Sequence, residues 1–149
     1  MRLALSGFSE CWAQCRVVAD YIARYAASDR FDPEGLATQI SSFVNEVLEL
    51  SFANHGKGTM GVDVTREEEA VHVTCVLPTN DEVTAAFERA LEGLCSPDIV
   101  ARHRQGFVAL LDAPDPAGAF VEMAAVHGVA PQLTLRDDSL FVSLTIPAE

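Results

Sequence analysis

Residues 60–76 read MGVDVTREEEAVHVTCV, and two short strands joined by a turn can be recognised in this stretch. Apolar residues occupy every second position on both sides of the charged run Arg66–Glu69, which is the period of a β-strand with one buried face. They are Met60, Val62 and Val64 before the run, and Val71, Val73 and Cys75 after it. The pattern predicts an antiparallel hairpin packed on one side against a core.

The sequence around the hairpin has helical periodicity on both sides and alternation again at the end. It predicts helices near 9–27, 33–54, 81–94, 96–111 and 117–127, and strands at 132–135 and 140–146. Ser9 and Asp32 are the expected N-caps of the first two helices. This order lacks the alternation of a βαβ fold. It predicts one α+β domain over residues 1–149, a two-layer sandwich with helices on one face of a mixed, mostly antiparallel sheet.

The net charge of the chain limits the classes of molecule that we expect it to bind. The chain has 10 Lys and Arg against 22 Asp and Glu, for a net charge of −12. Such a chain repels phosphate backbones and anionic lipid, so we expect neither nucleic-acid nor membrane binding. No apolar run reaches the roughly 18–20 residues that span a bilayer. The first residues lack the apolar core of a secretory signal. We therefore expect a cytoplasmic protein.

Cysteine and histidine spacing predicts no metal site. Cys11, Cys15, Cys75 and Cys95 match no zinc pattern. Cys75 follows His72 by three residues in a predicted strand, where the two side chains point to opposite faces, so the pair is not expected to act as nucleophile and base.

Two stretches carry a resemblance to a known fold. FVNEVLELSFANH at 43–55 resembles the N-box helix of the GHKL ATPase fold, which gyrase B subunits, sensor histidine kinases and anti-sigma-factor serine kinases share. VHGVAPQLTLRDDSLFVSLTIP at 126–147 is similar to the helix, glycine, strand, turn and strand that close histidine-kinase ATPase domains. By length and helical content, the chain looks most like small bacterial regulators of the SiaB type, which work in partner-switching circuits.

The same resemblance exposes three departures from the nucleotide site. Glu46 stands at the acid position, but Leu50 stands where the family has the Asn that holds Mg²⁺. The segment 76–81 has no glycine where the family has its adenine-binding box, which leaves Asp81 as a displaced adenine reader or, by our preference, a helix cap. Residues 112–118, DAPDPAG, replace the glycine-rich lid. The resemblance therefore implies a scaffold whose nucleotide site is disabled.

The first functional hypothesis is a non-catalytic regulatory module that binds other proteins in bacterial signalling and needs no cofactor. Its alternative is an active anti-sigma-factor-type serine/threonine kinase that binds ATP and Mg²⁺ in an unconventional site. Glu46 would then be the catalytic acid, Asn54 or Asn45 the replacement ligand, and Asp81 the adenine contact. Without that activity, Glu46 is expected to be a solvated or capping carboxylate.

Partner surfaces are suggested by two helices. Glu82, Glu88 and Glu92 lie on the predicted third helix, either as a solvated face or as a docking surface for a basic partner. The long first helix, with Trp12, is a candidate for pairing with its copy in a homodimer. A ligand other than a nucleotide in the cleft is a further alternative that composition does not address.

Overall fold

The computed structural model describes residues 2–4, 12–27, 33–54, 57–92, 94 and 118–147. These form an α+β sandwich, which confirms the expected fold class. The strands are β1 (Arg2–Ala4), β2 (Thr59–Arg66), β3 (Ala70–Pro78), β4 (Gln132–Arg136) and β5 (Ser139–Pro147). The helices are α1 (Trp12–Ala27), α2 (Pro33–Ala53), α3 (Asp81–Leu91) and α4 (Gly118–Glu122), the last continued by a π-helical turn (Met123–His127).

The sheet has five strands in the order β1-β2-β3-β5-β4. The predicted hairpin is confirmed: β2 and β3 pair antiparallel, with Val62 opposite Cys75. β5 inserts between β3 and β4, and all four pairings among the described strands are antiparallel. Strand β1 was not predicted, because three residues are too few for alternation to be recognised.

Helix α2 lies at the centre of the core. It packs against β3, β5 and α1. Phe43, Val44, Val47 and Leu48 are completely buried on it. The strands contribute alternate residues to the same core, as the pleat requires; the fully buried ones include Met60, Val71, Val73, Cys75, Leu77, Leu140 and Val142.

Local signals explain most helix boundaries. Pro33 is the first residue of α2, where the missing N–H costs no hydrogen bond. At the start of α3, the side chain of Asn80 accepts a hydrogen bond of 2.8 Å from the backbone N–H of Val83. Asn80 is therefore the N-cap, whereas Asp81, which we preferred as a cap residue, is the first residue of the helix and is exposed.

Two glycines mark where helices give way to strands. The predicted end of the last helix at Gly128 is confirmed: this residue has φ +67° in the left-handed region. The π-helical turn before it was not predicted. Gly58, between α2 and β2, has φ +92°, and a Cβ there would lie 2.9 Å from Cγ of Pro78. Only glycine adopts this left-handed conformation without strain and has no Cβ to collide with Pro78.

Several predictions fall outside the described residues. These are the caps Ser9 and Asp32, the helix near 96–111, and the lid replacement at 112–117. Within the part of the chain that the structure describes, no helix is both long and apolar enough to cross a bilayer.

The contact between α2 and α4 gives a test of the core. The rings of Phe43 and Phe120 are both fully buried, with centroids 6.1 Å apart. Replacing Phe43 with Ala leaves a cavity, so we expect Phe43→Ala to lower the free energy of unfolding by about 3–5 kcal/mol. Urea denaturation measures this loss. Leu135→Ala removes a side chain that is 54% exposed and should cost far less; equal losses would contradict the assigned core.

Candidate functional site

The N-box-like segment of α2 faces the core. Glu46 is 8% exposed and Leu50, one turn later, is 5% exposed. Leu50 is thus a core residue, as its spacing predicts. Of the two roles expected for Glu46 without catalysis, a solvated or a capping carboxylate, the solvated one is wrong, because the residue is buried.

The two asparagines that would replace the metal ligand are engaged within α2. Asn45 Nδ2 donates a hydrogen bond of 2.9 Å to Oε1 of Glu49. Asn54 Nδ2 donates one of 2.8 Å to the backbone carbonyl of Leu50. The Asn54 contact satisfies a carbonyl at the helix C-terminus, where the last carbonyls have no partner within the helix. Both amide nitrogens therefore have local structural roles, whereas Oδ1 of Asn45 is buried without a hydrogen-bond partner among the described residues.

Asp81 lies in a separate environment. It lines a shallow cavity of about 420 Å³ with Lys57, Asn80 and Glu82. Neither Glu46 nor Asn54 lines this cavity. Asp81 in the first turn of α3 is placed favourably with respect to the helix dipole, which gives the carboxylate a role in the helix itself.

A polar cleft of about 650 Å³ runs between α1 and α2. Arg16 and Arg24 on α1 lie on either side of Asp20, which accepts a hydrogen bond from the Ser41 hydroxyl. Charges of both signs line the cleft, so its electrostatic potential favours neither anions nor cations throughout. This cleft was not predicted from the sequence, because its residues come from two helices.

Cys75 is buried in β3, on the core side of the sheet. Burial raises the pKa of its thiol to about 12, and the charge of Asp63 adds to the rise. His72 lies on the other face, where its Nδ1 is 3.0 Å from Oγ1 of Thr145 and its Nε2 is 3.5 Å from Oε2 of Glu67. The predicted separation of Cys75 from His72 is confirmed.

An exposed apolar stripe runs along α1. Val17, Tyr21 and Tyr25 follow one another at four-residue intervals and are 68%, 63% and 76% exposed. Residues four apart lie on one side of a helix, so the three side chains form a continuous strip. The helical spacing of apolar residues in the sequence predicts a different stripe, which includes Ala19 and Ile22, and both of these are buried. The tyrosine spacing was the signal that this prediction missed.

A second exposed region lies where α3 meets β4. A shallow groove of about 540 Å³ separates them. One wall comes from α3 with its C-cap Glu92, and the other from Leu133 of β4; the α3 residues are Ala85, Glu88, Arg89 and Leu91. The acidic helix of the sequence analysis is therefore one side of a groove, and only part of its surface is an isolated solvated face.

The described residues include no group of three or more His, Cys, Asp or Glu side chains that are close enough to hold a metal ion. Leu50 cannot supply an oxygen to a hard cation such as Mg²⁺, which binds oxygen ligands. At the position where the resemblance places the metal ligand, this chain has a buried leucine.

Comparison with known proteins identifies the fold. No protein-family model matches the sequence, and no curated protein does. The chain is similar to a chain in the crystal structure of the SiaB–SiaC complex from Pseudomonas aeruginosa, with a TM-score of 0.56 and 14% sequence identity. The match covers 97% of this chain and 98% of that one. The fold is SiaB-like. The narrower GHKL ATPase resemblance stays a prediction.

Cys75 provides a test of the local chemistry. Its thiol is buried and its pKa is about 12, so the reactive thiolate is scarce and covered. We expect Cys75 to resist an alkylating reagent in the folded protein at pH 8 and to react fully in urea. Peptide mass spectrometry assigns the label to each cysteine. Rapid labelling of Cys75 in the folded protein would contradict its assigned burial.

The same thiol affects stability at alkaline pH. The unfolded chain ionises it near the ordinary value of 9.0, while the folded chain keeps it protonated until about 12. Its contribution to the free energy of unfolding is therefore intact below pH 9 and declines as the pH rises from 9 towards 12. Cys75→Ala should make the stability curve flatter in that range.

Proposed function

We propose that this protein is a regulatory module that binds other proteins in bacterial signalling, in a partner-switching circuit, and does not turn over ATP. The observation that carries the proposal is the buried Leu50, which occupies the helix position where an ATPase of this resemblance needs an oxygen ligand for Mg²⁺. A leucine side chain has no lone pair to offer, and its burial in the core leaves no space for an ion beside it.

Two further observations support the loss of nucleotide chemistry. The segment Val76–Asp81 has no glycine, so the backbone there is not free to approach a nucleotide closely. Asp81, the remaining candidate for an adenine contact, lies at the exposed start of α3, in a cavity that Glu46 does not line. The candidate acid and the candidate adenine reader are therefore not placed around one described cavity.

The similarity to a chain of the SiaB–SiaC complex supports the proposal of a protein partner. The similar chain belongs to a crystal structure of two different proteins in complex, SiaB and SiaC. We propose that this chain, too, acts by binding another protein. Its net charge of −12, with carboxylates concentrated on α3, favours a partner that presents basic residues, because complementary charge accelerates encounter and excludes acidic competitors.

Titration of the full chain with Mg-ATP tests the loss of nucleotide chemistry. We expect isothermal titration calorimetry to show no micromolar binding, and we expect no release of phosphate above background. Leu50→Asn places an amide oxygen at the position where the resemblance puts the Mg²⁺ ligand. Leu50→Ala, which removes hydrocarbon without supplying an oxygen, is its control.

The alternative kinase makes the opposite prediction. If the chain binds Mg-ATP and transfers phosphate, with the transfer abolished by Glu46→Gln, the regulatory proposal is wrong and Glu46 is catalytic. Both Leu50 variants also need a circular dichroism spectrum like that of the parent chain, because a polar group in the core destabilises the fold.

We also propose that the protein forms a homodimer through α1. The stripe of Val17, Tyr21 and Tyr25 is apolar and exposed, and burying a tyrosine removes about 150–250 Å² from water. The helix carries only one acidic residue, Asp20, of the 22 in the chain. Two strongly acidic copies therefore repel each other less at α1 than at more acidic surfaces.

Sedimentation velocity over about a hundredfold range of micromolar concentration tests the dimer. We expect a concentration-dependent shift from monomer to dimer that is lost in the double variant Tyr21→Ala, Tyr25→Ala. Val126→Ala, which truncates another exposed apolar residue, 58% exposed, is the matched control and should leave the dimer intact. A monomer at every concentration would remove this part of the proposal.

A further inference from the structure

Strand β4 forms one edge of the described sheet. It pairs with β5 on one side, and no other described strand pairs with its second side. Four of its five residues are exposed, and Leu133 is half-buried. An edge of this kind presents backbone N–H and C=O groups that can pair with an additional strand, and β4 has no proline or bulge to prevent it.

The leucines of β4 show that the core is incompletely covered at this edge. Leu133 lies opposite Val142 and Leu135 lies opposite Leu140, and both partners on β5 are fully buried. Cross-strand neighbours share a face of the sheet, so both leucines point to the helix side. Even so, Leu135 is 54% exposed. The apolar face of the sheet thus extends beyond the helices in the described part of the chain.

Helix α3 forms a wall above this edge. Ala85 and Leu91 supply apolar surface to the groove, and Glu88 and Glu92 supply carboxylates. Among the described residues that line the groove, Arg89 is the one basic residue. The groove therefore combines an apolar floor with a mainly acidic wall, beside a strand edge that can form hydrogen bonds.

We propose that an extended, basic segment of a partner protein docks here as an additional strand beside β4. Main-chain hydrogen bonds to β4 would hold it, as in β-strand addition generally. Every second side chain would face the helix layer, where a lysine or arginine can lay its aliphatic stem along Leu133 and Leu135 and place its charge near Glu88 and Glu92. This inference rests on the proposed protein-binding function and assigns it a surface and a partner chemistry.

Charge favours this occupant over a second copy of the chain. Pairing of β4 with its own copy would bring two sets of Glu88 and Glu92 towards each other. Like charges across an interface are unfavourable, whereas a basic segment reverses the sign of that interaction. The strand spans five residues, about 17 Å, so a peptide of about ten residues covers the whole edge.

Fluorescence anisotropy with the full-length chain tests the proposal. The probes are three labelled peptides of about ten residues, long enough to cover the edge: alternating lysine and valine, alternating glutamate and valine, and lysine with glycine at the same charge as the first. We expect the lysine–valine peptide to bind about tenfold more tightly than either of the others, because it alone combines charge with strand propensity.

Variants locate the site. Leu135→Lys places a charge on the apolar edge and should weaken binding of the lysine–valine peptide about tenfold. The double variant Glu88→Gln, Glu92→Gln should weaken it several-fold and reduce its dependence on salt. The matched control, Asp81→Asn with Glu82→Gln, removes the same charge from the other end of α3 and should leave binding unchanged.

Hydrogen exchange separates strand addition from simple charge attraction. With the lysine–valine peptide bound, amides of Gln132–Arg136 should exchange more slowly. Equal binding of both lysine peptides, equal loss in the control variant, or no added protection of β4 would each overturn the proposal. So would protection of β4 that rises with protein concentration alone, since a second copy would then close the edge. The Mg-ATP titration is independent: phosphate transfer would refute the proposed function whatever the peptides do, and failed peptide binding without ATP turnover would refute only this groove.

Discussion

The packing of α2 against the sheet and against α1 is the constraint on which the rest of the structure depends. A helix covered on two sides must be apolar around much of its circumference, and α2 buries residues from Leu36 to Ser51 in this way. The same covering that stabilises the fold removes α2 from solvent. A residue on its buried faces can contribute to packing, but it contacts a ligand only if the core opens.

Because α2 is buried, a residue on it can match the residue type of the family without performing the family's chemistry. Glu46 retains the residue type of a catalytic acid, yet it lies in the buried part of α2, and Leu50 beside it belongs to the core. The exposed features lie elsewhere: on the outer side of α1 and at the junction of α3 with β4. These are apolar and charged surfaces without convergent reactive groups, which is the character of protein-binding sites.

The sequence allowed the fold class, the hairpin and the ends of α2 to be predicted, because each depends on local periodicity or on a proline or glycine. It did not allow β1 to be predicted, since three residues carry no period. It placed the cap of α3 within residues 78–81 but did not single out Asn80, because Asn80 and Asp81 are both good capping residues and only geometry distinguishes them. The candidate surfaces required tertiary information: Tyr21 and Ile22 are adjacent and both apolar, but one is 63% exposed and the other 6%.

Gly58 limits where residues can be inserted into the connection between α2 and β2. Its left-handed φ and its approach to Pro78 fix the point at which the chain passes from helix to sheet. An insertion between this glycine and β2 would shift the strand by one residue along its neighbours. Because side chains alternate, Met60 and Val62 would then turn from the interior to water and Gly61 and Asp63 would turn inward. The fold should therefore tolerate insertions on the α2 side of Gly58 but not between Gly58 and β2.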